Sequence, residues 1–181
     1  MRTKLLLSAL AGAGALVVWT VVINVMFGFN VRYTMQPLPN ERELYEVLKR
    51  HVTEPGVYLC NPALTAEGRF PGNEPVFGVR TAGVGHEAAG AGMLFGLAQY
   101  LLLPLAGAWL LSGTSERFRA RYADRVLFFA ALGLIAAVAG DLSEYGIGGA
   151  PLSTALLLAA RTAAGWTVTG LAVAAVMPHK H

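Results

Sequence analysis

Four long apolar stretches, nearly free of charge, constrain this chain more than any other feature of its sequence. They cover residues 1–29, 88–111, 126–145 and 152–176, and their charged residues are Arg2, Lys4, Asp141, Glu144 and Arg161. About 20 apolar residues in a helix cross the hydrocarbon core of a bilayer. The sequence therefore predicts an all-α protein, a bundle of four transmembrane helices.

The composition agrees with insertion into a membrane. The chain is 55% hydrophobic and 14% charged, with a mean hydropathy of +0.51, which lies outside the range of soluble domains. The formal charge is +3, but the basic residues flank the spans without forming a stripe, so membrane lipids are expected as partners and nucleic acid is not. Cys60 is the only cysteine, which excludes an intrachain disulfide.

The distribution of Lys and Arg predicts the orientation. The first apolar run is longer than the apolar region of a signal peptide and is expected to stay uncleaved. Arg2 and Lys4 precede it, four arginines lie in the loop 112–125, and the turn 146–151 has none. By the positive-inside rule, both termini, including the tail 177–181, lie in the cytoplasm, and the segment 30–87 lies outside the inner (cytoplasmic) membrane.

The segment 30–87 is predicted to form a small extracytoplasmic domain. Pro39 and Asn40 precede a helical pattern that ends before Pro55 and Gly56, with Asn40 as the expected N-cap. Two short runs rich in β-forming residues follow, around residues 57–59 and 76–79. A helix plus a β-hairpin is therefore expected outside the membrane.

Asp141, Glu144 and Arg161 are the charges nearest to the turn between the third and fourth spans. Arg161 can extend its side chain towards the membrane surface, so an ion pair with Asp141 or Glu144 between these spans is predicted. Two alternatives remain open. Arg161 can contact another subunit or an anionic lipid headgroup, or the three charges can form a proton or ion pathway.

The histidines do not predict an intrinsic cofactor. None of the four lies deep within a predicted span, which excludes a haem held by two histidines inside the bundle. His86, at the mouth of the second span, is the one candidate for an interfacial pigment or metal ligand. His179 and His181 are too few for a metal site. Peripheral lipid or pigment contacts are the remaining possibility.

Glycines are frequent within the spans and predict close packing of helices. Gly92 and Gly96 in the second span, and Gly165 and Gly170 in the fourth, are small enough for neighbouring backbones to approach. Packing within the chain is expected at these positions, with an oligomer interface as the alternative.

The order of short motifs resembles a family of small bacterial four-span integral membrane proteins. The motifs are Trp19, Pro39 to Glu41, Pro55 to Tyr58, Tyr145-Gly146, Gly165-Trp166 and Gly170. The resemblance implies the four-span fold and no activity.

No nucleophile elbow, zinc-protease motif, dinucleotide fingerprint or P-loop occurs in the sequence. The chain is therefore predicted to be a non-catalytic accessory or structural subunit of a larger membrane complex, of the photosynthetic or respiratory kind, with other integral membrane subunits as partners. A small transporter or channel using Asp141, Glu144 and Arg161 is the alternative. A membrane enzyme acting on lipid or quinone is the third hypothesis.

Overall fold

The computed structural model describes residues 2–177, which are mainly helical. The helices are α1 (Arg2–Val21), α2 (Glu41–His51), α3 (Ala89–Ser112), α4 (Glu116–Ala120), α5 (Tyr122–Ala136) and α6 (Leu152–Val176). Short π-helical turns follow or extend α1 and α5, at Val22–Met26, Asn30–Thr34 and Ala137–Asp141. Turns of 3-10 helix occupy His86–Ala88 and Leu142–Glu144, and the strands are β1 (Gly56–Cys60) and β2 (Phe77–Thr81).

Four helices are long and apolar enough to cross a membrane, as predicted. They are Thr3–Met26, Ala89–Ser112, Tyr122–Glu144 and Leu152–Val176. The third helix begins at Tyr122, before the predicted residue 126, because Arg125 is buried within the helix instead of lying in a loop.

The four long helices pack as a curved row, with α6 between α5 and α1 and with α3 beside α1. The row closes at one end, where a Cβ atom at Gly107 of α3 would lie 2.6 Å from the Phe129 ring of α5. Glycines allow the close contacts along this row. A Cβ atom at Gly170 would lie 2.6 Å from Cβ of Phe129 on α5, and one at Gly165 would lie 3.0 Å from the Trp19 ring on α1. Any larger residue at these positions would push the helices apart.

The buried core lies at one end of this row. Ala108, Leu111, Phe129, Val173 and Met177 form it, and Leu5 packs against it. We call this the terminus-side end, because it holds the beginning of α1 and the end of α6. The opposite, loop-side end carries the segment between α1 and α3 and the turn between α5 and α6.

The segment between α1 and α3 contains the predicted helix and a two-stranded antiparallel sheet. The strands pair from Gly56 with Thr81 to Cys60 with Phe77. Helix α2 has no buried residue, and the Asn40 side chain does not cap it, contrary to the expectation from sequence. A tight turn near Gly68 lies between the two strands, and backbone hydrogen bonds join Thr65 to Arg69 across it. A hydrogen bond from the Thr65 side chain lowers the pKa of exposed Glu67.

Candidate functional site

Glu144 joins the turn between α5 and α6 to the β-hairpin. It ends the 3-10 turn Leu142–Glu144, and its carboxylate accepts hydrogen bonds of 2.7 and 3.4 Å from the guanidinium of Arg80 on β2. The Arg80 side chain is 65% exposed and that of Glu144 is 40% exposed. An ion pair so open to solvent contributes little stability.

Two glycines seat the hairpin on this turn. Gly148 has a φ of +69°, a conformation that favours glycine, and its carbonyl oxygen lies where a Cβ atom of Gly78 would be. Leu59 of β1 also packs over Gly148. Neither glycine can gain a side chain without moving the hairpin off the turn.

An open cavity of about 210 Å³ lies beside the contact between the hairpin and the turn. Its apolar lining comes from Val57, Leu59 and Ile147, and its charged groups, Arg80 and Glu144, are paired with each other. Ser143 and Tyr145 bring hydroxyl groups to the lining, and that of Ser143 donates a hydrogen bond to the Gly140 carbonyl. The side chains of Arg80, Glu144 and Ser143 are therefore all bonded to protein partners.

Arg161 does not pair with Glu144 or Asp141, so the predicted ion pair is corrected. Its Nη1 donates to Oδ1 of Asn30 at 3.3 Å, and its Cζ lies 5.3 Å from the centroid of the Phe29 ring. Residues four apart share one face of a helix. Because Gly165 on that face contacts Trp19, Arg161 is directed towards α1 and away from α5.

Asp141 ends the π-helical turn of the third span and is half-buried. Within residues 2–177 its carboxylate makes neither a hydrogen bond nor an ion pair. The structure thus separates the three predicted site residues: Glu144 bonds Arg80, Arg161 bonds Asn30, and Asp141 lies apart from both pairs. They do not converge on one pathway through the bundle.

The histidine predictions lie mostly outside the described residues. His86 begins the 3-10 turn ahead of α3, but its side chain is not described, and His179 and His181 fall beyond residue 177. In the part of the chain that is described, no three histidine, cysteine or acidic side chains cluster as metal ligands would.

The four predicted packing glycines divide into two pairs. Gly165 and Gly170 on α6 lie directly beneath Trp19 and Phe129. Gly92 and Gly96 on α3 have no atom within 4 Å of the position of an added Cβ, so they pack against no described part of the chain. Only the α6 pair serves packing within the protein.

Two arginines at the terminus-side end enter the sequence analysis only through the positive-inside rule, and the structure gives them specific contacts. Arg125 is completely buried, and its Nη1 donates to the Met177 carbonyl at 2.8 Å. Arg119 donates to the Ser112 carbonyl, also at 2.8 Å. Both bonds reach carbonyl groups at the C-terminal ends of long helices, where a positive charge also favours the helix dipole.

The sequence does contain a signal for the buried arginine. Arg125, Phe129 and Gly133 are the buried residues of α5, and they follow one another at intervals of four. An arginine in phase with two core positions belongs to the same helix face as those positions.

Comparison with protein-family models, with curated proteins and with solved structures finds no match for this chain. The resemblance drawn from short motifs therefore stays a prediction, and the geometry described above carries the functional proposal.

Proposed function

We propose that the protein is a non-catalytic accessory subunit of a larger membrane complex, and that it binds another integral membrane subunit through the loop-side half of α3. The supporting observation is the isolation of this half-helix. Among residues 89–103, only Gly96 and Tyr100 are half-buried, and the rest are exposed, including Met93, Leu94 and Phe95 at 75%, 70% and 69%.

The residues of this half-helix suit a helical partner. Gly92 and Gly96 are spaced as in the small-xxx-small motif, which lets two helix backbones approach in a bilayer. The space above both glycines is open in this chain, and residues 89–103 carry no charge. An apolar helix of another subunit fits such a surface without burying an unpaired charge.

The proposed orientation places the hairpin on the outer side of the inner (cytoplasmic) membrane, in the periplasm or the extracellular space, and both termini in the cytoplasm. Its support is the concentration of arginines around α4, including Arg117 and Arg121. Cys60 is exposed on β1 and is the only cysteine, so it serves as a natural probe.

A membrane-impermeant maleimide tests this orientation. It should label Cys60 in intact cells, whereas a cysteine placed at exposed Ser115 in a Cys60→Ser background should be labelled only after lysis. The reverse pattern would overturn the orientation and leave the subunit proposal standing.

Gentle solubilisation of native membranes tests the subunit proposal itself. The chain should migrate in a complex of higher mass, and the energy-transducing assemblies named above are the first to look for among the comigrating proteins. Replacing Gly96 with Leu should release the chain from that complex, because the side chain fills the approach surface. Gly14→Leu is the matched control, since Gly14 also faces open space but on α1. Migration of the wild-type chain alone would contradict the proposal.

A further inference from the structure

Two arginines lie against the point where the first span is interrupted. Gly28, with a φ of +60°, separates the π-helical turns Val22–Met26 and Asn30–Thr34. Arg161 reaches this point from α6 and contacts Phe29 and Asn30. Arg32 reaches it from one turn further along, with Nε 3.7 Å from the position of a Cβ atom at Gly28. Both guanidinium groups therefore lie next to the same three residues, 28–30.

Neither arginine is neutralised by the described part of the chain. Arg161 is half-buried, and its one hydrogen-bond partner is the neutral amide of Asn30. Arg32 makes no side-chain hydrogen bond or ion pair within residues 2–177, and the carboxylate of Glu144 is bonded to Arg80. A guanidinium has five N–H donors, so most of those on both side chains remain available.

The two arginines lie beside the loop-side end of the first span. Arg161 lies nine residues after the start of α6 at Leu152, about 14 Å along the helix axis. Its side chain ends beside Phe29 and Asn30, which follow the last residue of the first span, Met26. An arginine that extends from within a span to its end brings its charge to headgroup level.

The surroundings fit a lipid rather than a soluble anion. Val25 and Met26, at the end of the first span, are 75% and 74% exposed, which offers an apolar surface for acyl chains. The Tyr33 ring lies 5.3 Å from that of Phe29, as aromatic residues do at the membrane interface.

We propose that Arg161 and Arg32 bind the phosphate of an anionic phospholipid headgroup in the leaflet on the loop side. The planar guanidinium groups donate paired hydrogen bonds to phosphate oxygens, and the lipid supplies the negative charge that the described chain lacks here. This site is separate from the α3 surface, so it is tested without the partner subunit.

Native mass spectrometry of the purified full-length protein in neutral detergent tests the proposal. The wild type should retain phosphatidylglycerol more tightly than phosphatidylcholine. Arg161→Met and Arg32→Gln should each weaken phosphatidylglycerol retention roughly fivefold. Arg69→Gln, which removes the same charge from an exposed loop position, should leave retention unchanged.

Two further measurements separate lipid binding from a purely structural role. Arg161→Met removes the bond to Asn30 and should lower the Tm, whereas Arg32→Gln breaks no described hydrogen bond and should weaken lipid retention at an unchanged Tm. Unchanged retention in Arg32→Gln and in a folded Arg161→Met would overturn the proposal. Inorganic phosphate should not raise the Tm, and a rise equal to that produced by phosphatidylglycerol would overturn the assignment to a lipid.

Discussion

The terminus-side and loop-side ends of the helix row hold their arginines in different ways. At the terminus-side end, Arg119 and Arg125 donate to backbone carbonyls that the helices themselves fix in place. At the loop-side end, Arg80 and Arg161 bond the side chains of Glu144 and Asn30. The first end is held by bonds to backbone, while the second keeps polar and apolar surface open to lipid or protein.

Packing follows the same division. At the terminus-side end, Pro104 of α3 and Val173 of α6 press on Gly12 of α1, where an added Cβ would lie 3.0 and 2.7 Å from them. At the loop-side end, α3 leaves the other helices and becomes exposed on nearly every side. Stability is therefore expected to depend on one end and binding on the other.

Replacing Arg125 with Met should have the largest effect on stability. The change retains much of the side-chain volume but leaves the Met177 carbonyl without its donor, and we expect a loss of about 3 kcal/mol in the free energy of unfolding. Thermal unfolding in detergent measures it. Arg121→Met, at an exposed neighbouring position, is the control. Equal Tm values for the two variants would show that the buried arginine does not support this end.

Matched glycine substitutions should separate the two helix faces. Gly170→Val forces atoms into Phe129 and should destabilise the protein by about 2 kcal/mol, since overpacking displaces well-packed helices. Gly92→Val meets nothing in this chain and should leave the Tm within about 2 °C. Comparable losses for both variants would contradict the division between a packed and an open end.

Replacing Gly78 with Ala should detach the hairpin without unfolding the helices. The added methyl group overlaps the Gly148 carbonyl oxygen, which belongs to backbone that cannot rotate away. We expect Cys60 to react faster with a maleimide while the Tm stays close to that of the wild type. Gly72→Ala, where an added Cβ meets nothing within 4 Å, is the control. An unchanged rate at Cys60 would show that the contact does not hold the hairpin.

Replacing Arg80 with Gln should have the smallest effect. The pair with Glu144 is solvent-exposed, so its loss should lower stability by about 0.5 kcal/mol, and added salt should remove the difference. A loss of more than about 2 kcal/mol in the free energy of unfolding would mean that this ion pair, rather than the contact between Gly78 and Gly148, holds the hairpin.

The long apolar helices and the small sheet were predictable because each rests on a local pattern. Span length follows from apolar runs, and the hairpin follows from β-forming residues between turns. The partners of the charges were not predictable in the same way. Arg161 and Asn30 are 131 residues apart, and their contact depends on which face of α6 meets α1.

The early start of the third span was missed for a related physical reason. A charge next to an apolar run is ordinarily read as a loop residue, yet Arg125 is buried because a carbonyl 52 residues away accepts its hydrogen bond. The interval of four residues between Arg125, Phe129 and Gly133 is the local sign of that burial. The open face of α3 could not be predicted, because the apolar sequence around Gly92 and Gly96 is the same as that around glycines packed within a bundle.

Photo-crosslinking in native membranes tests the open loop-side end most directly. A benzoylphenylalanine at Met93 on α3 should give a discrete crosslink to another membrane protein, whereas the same probe at Ile135 on α5, exposed to a similar degree, should react with lipid alone. Lipid adducts alone from both positions would contradict a partner subunit on α3.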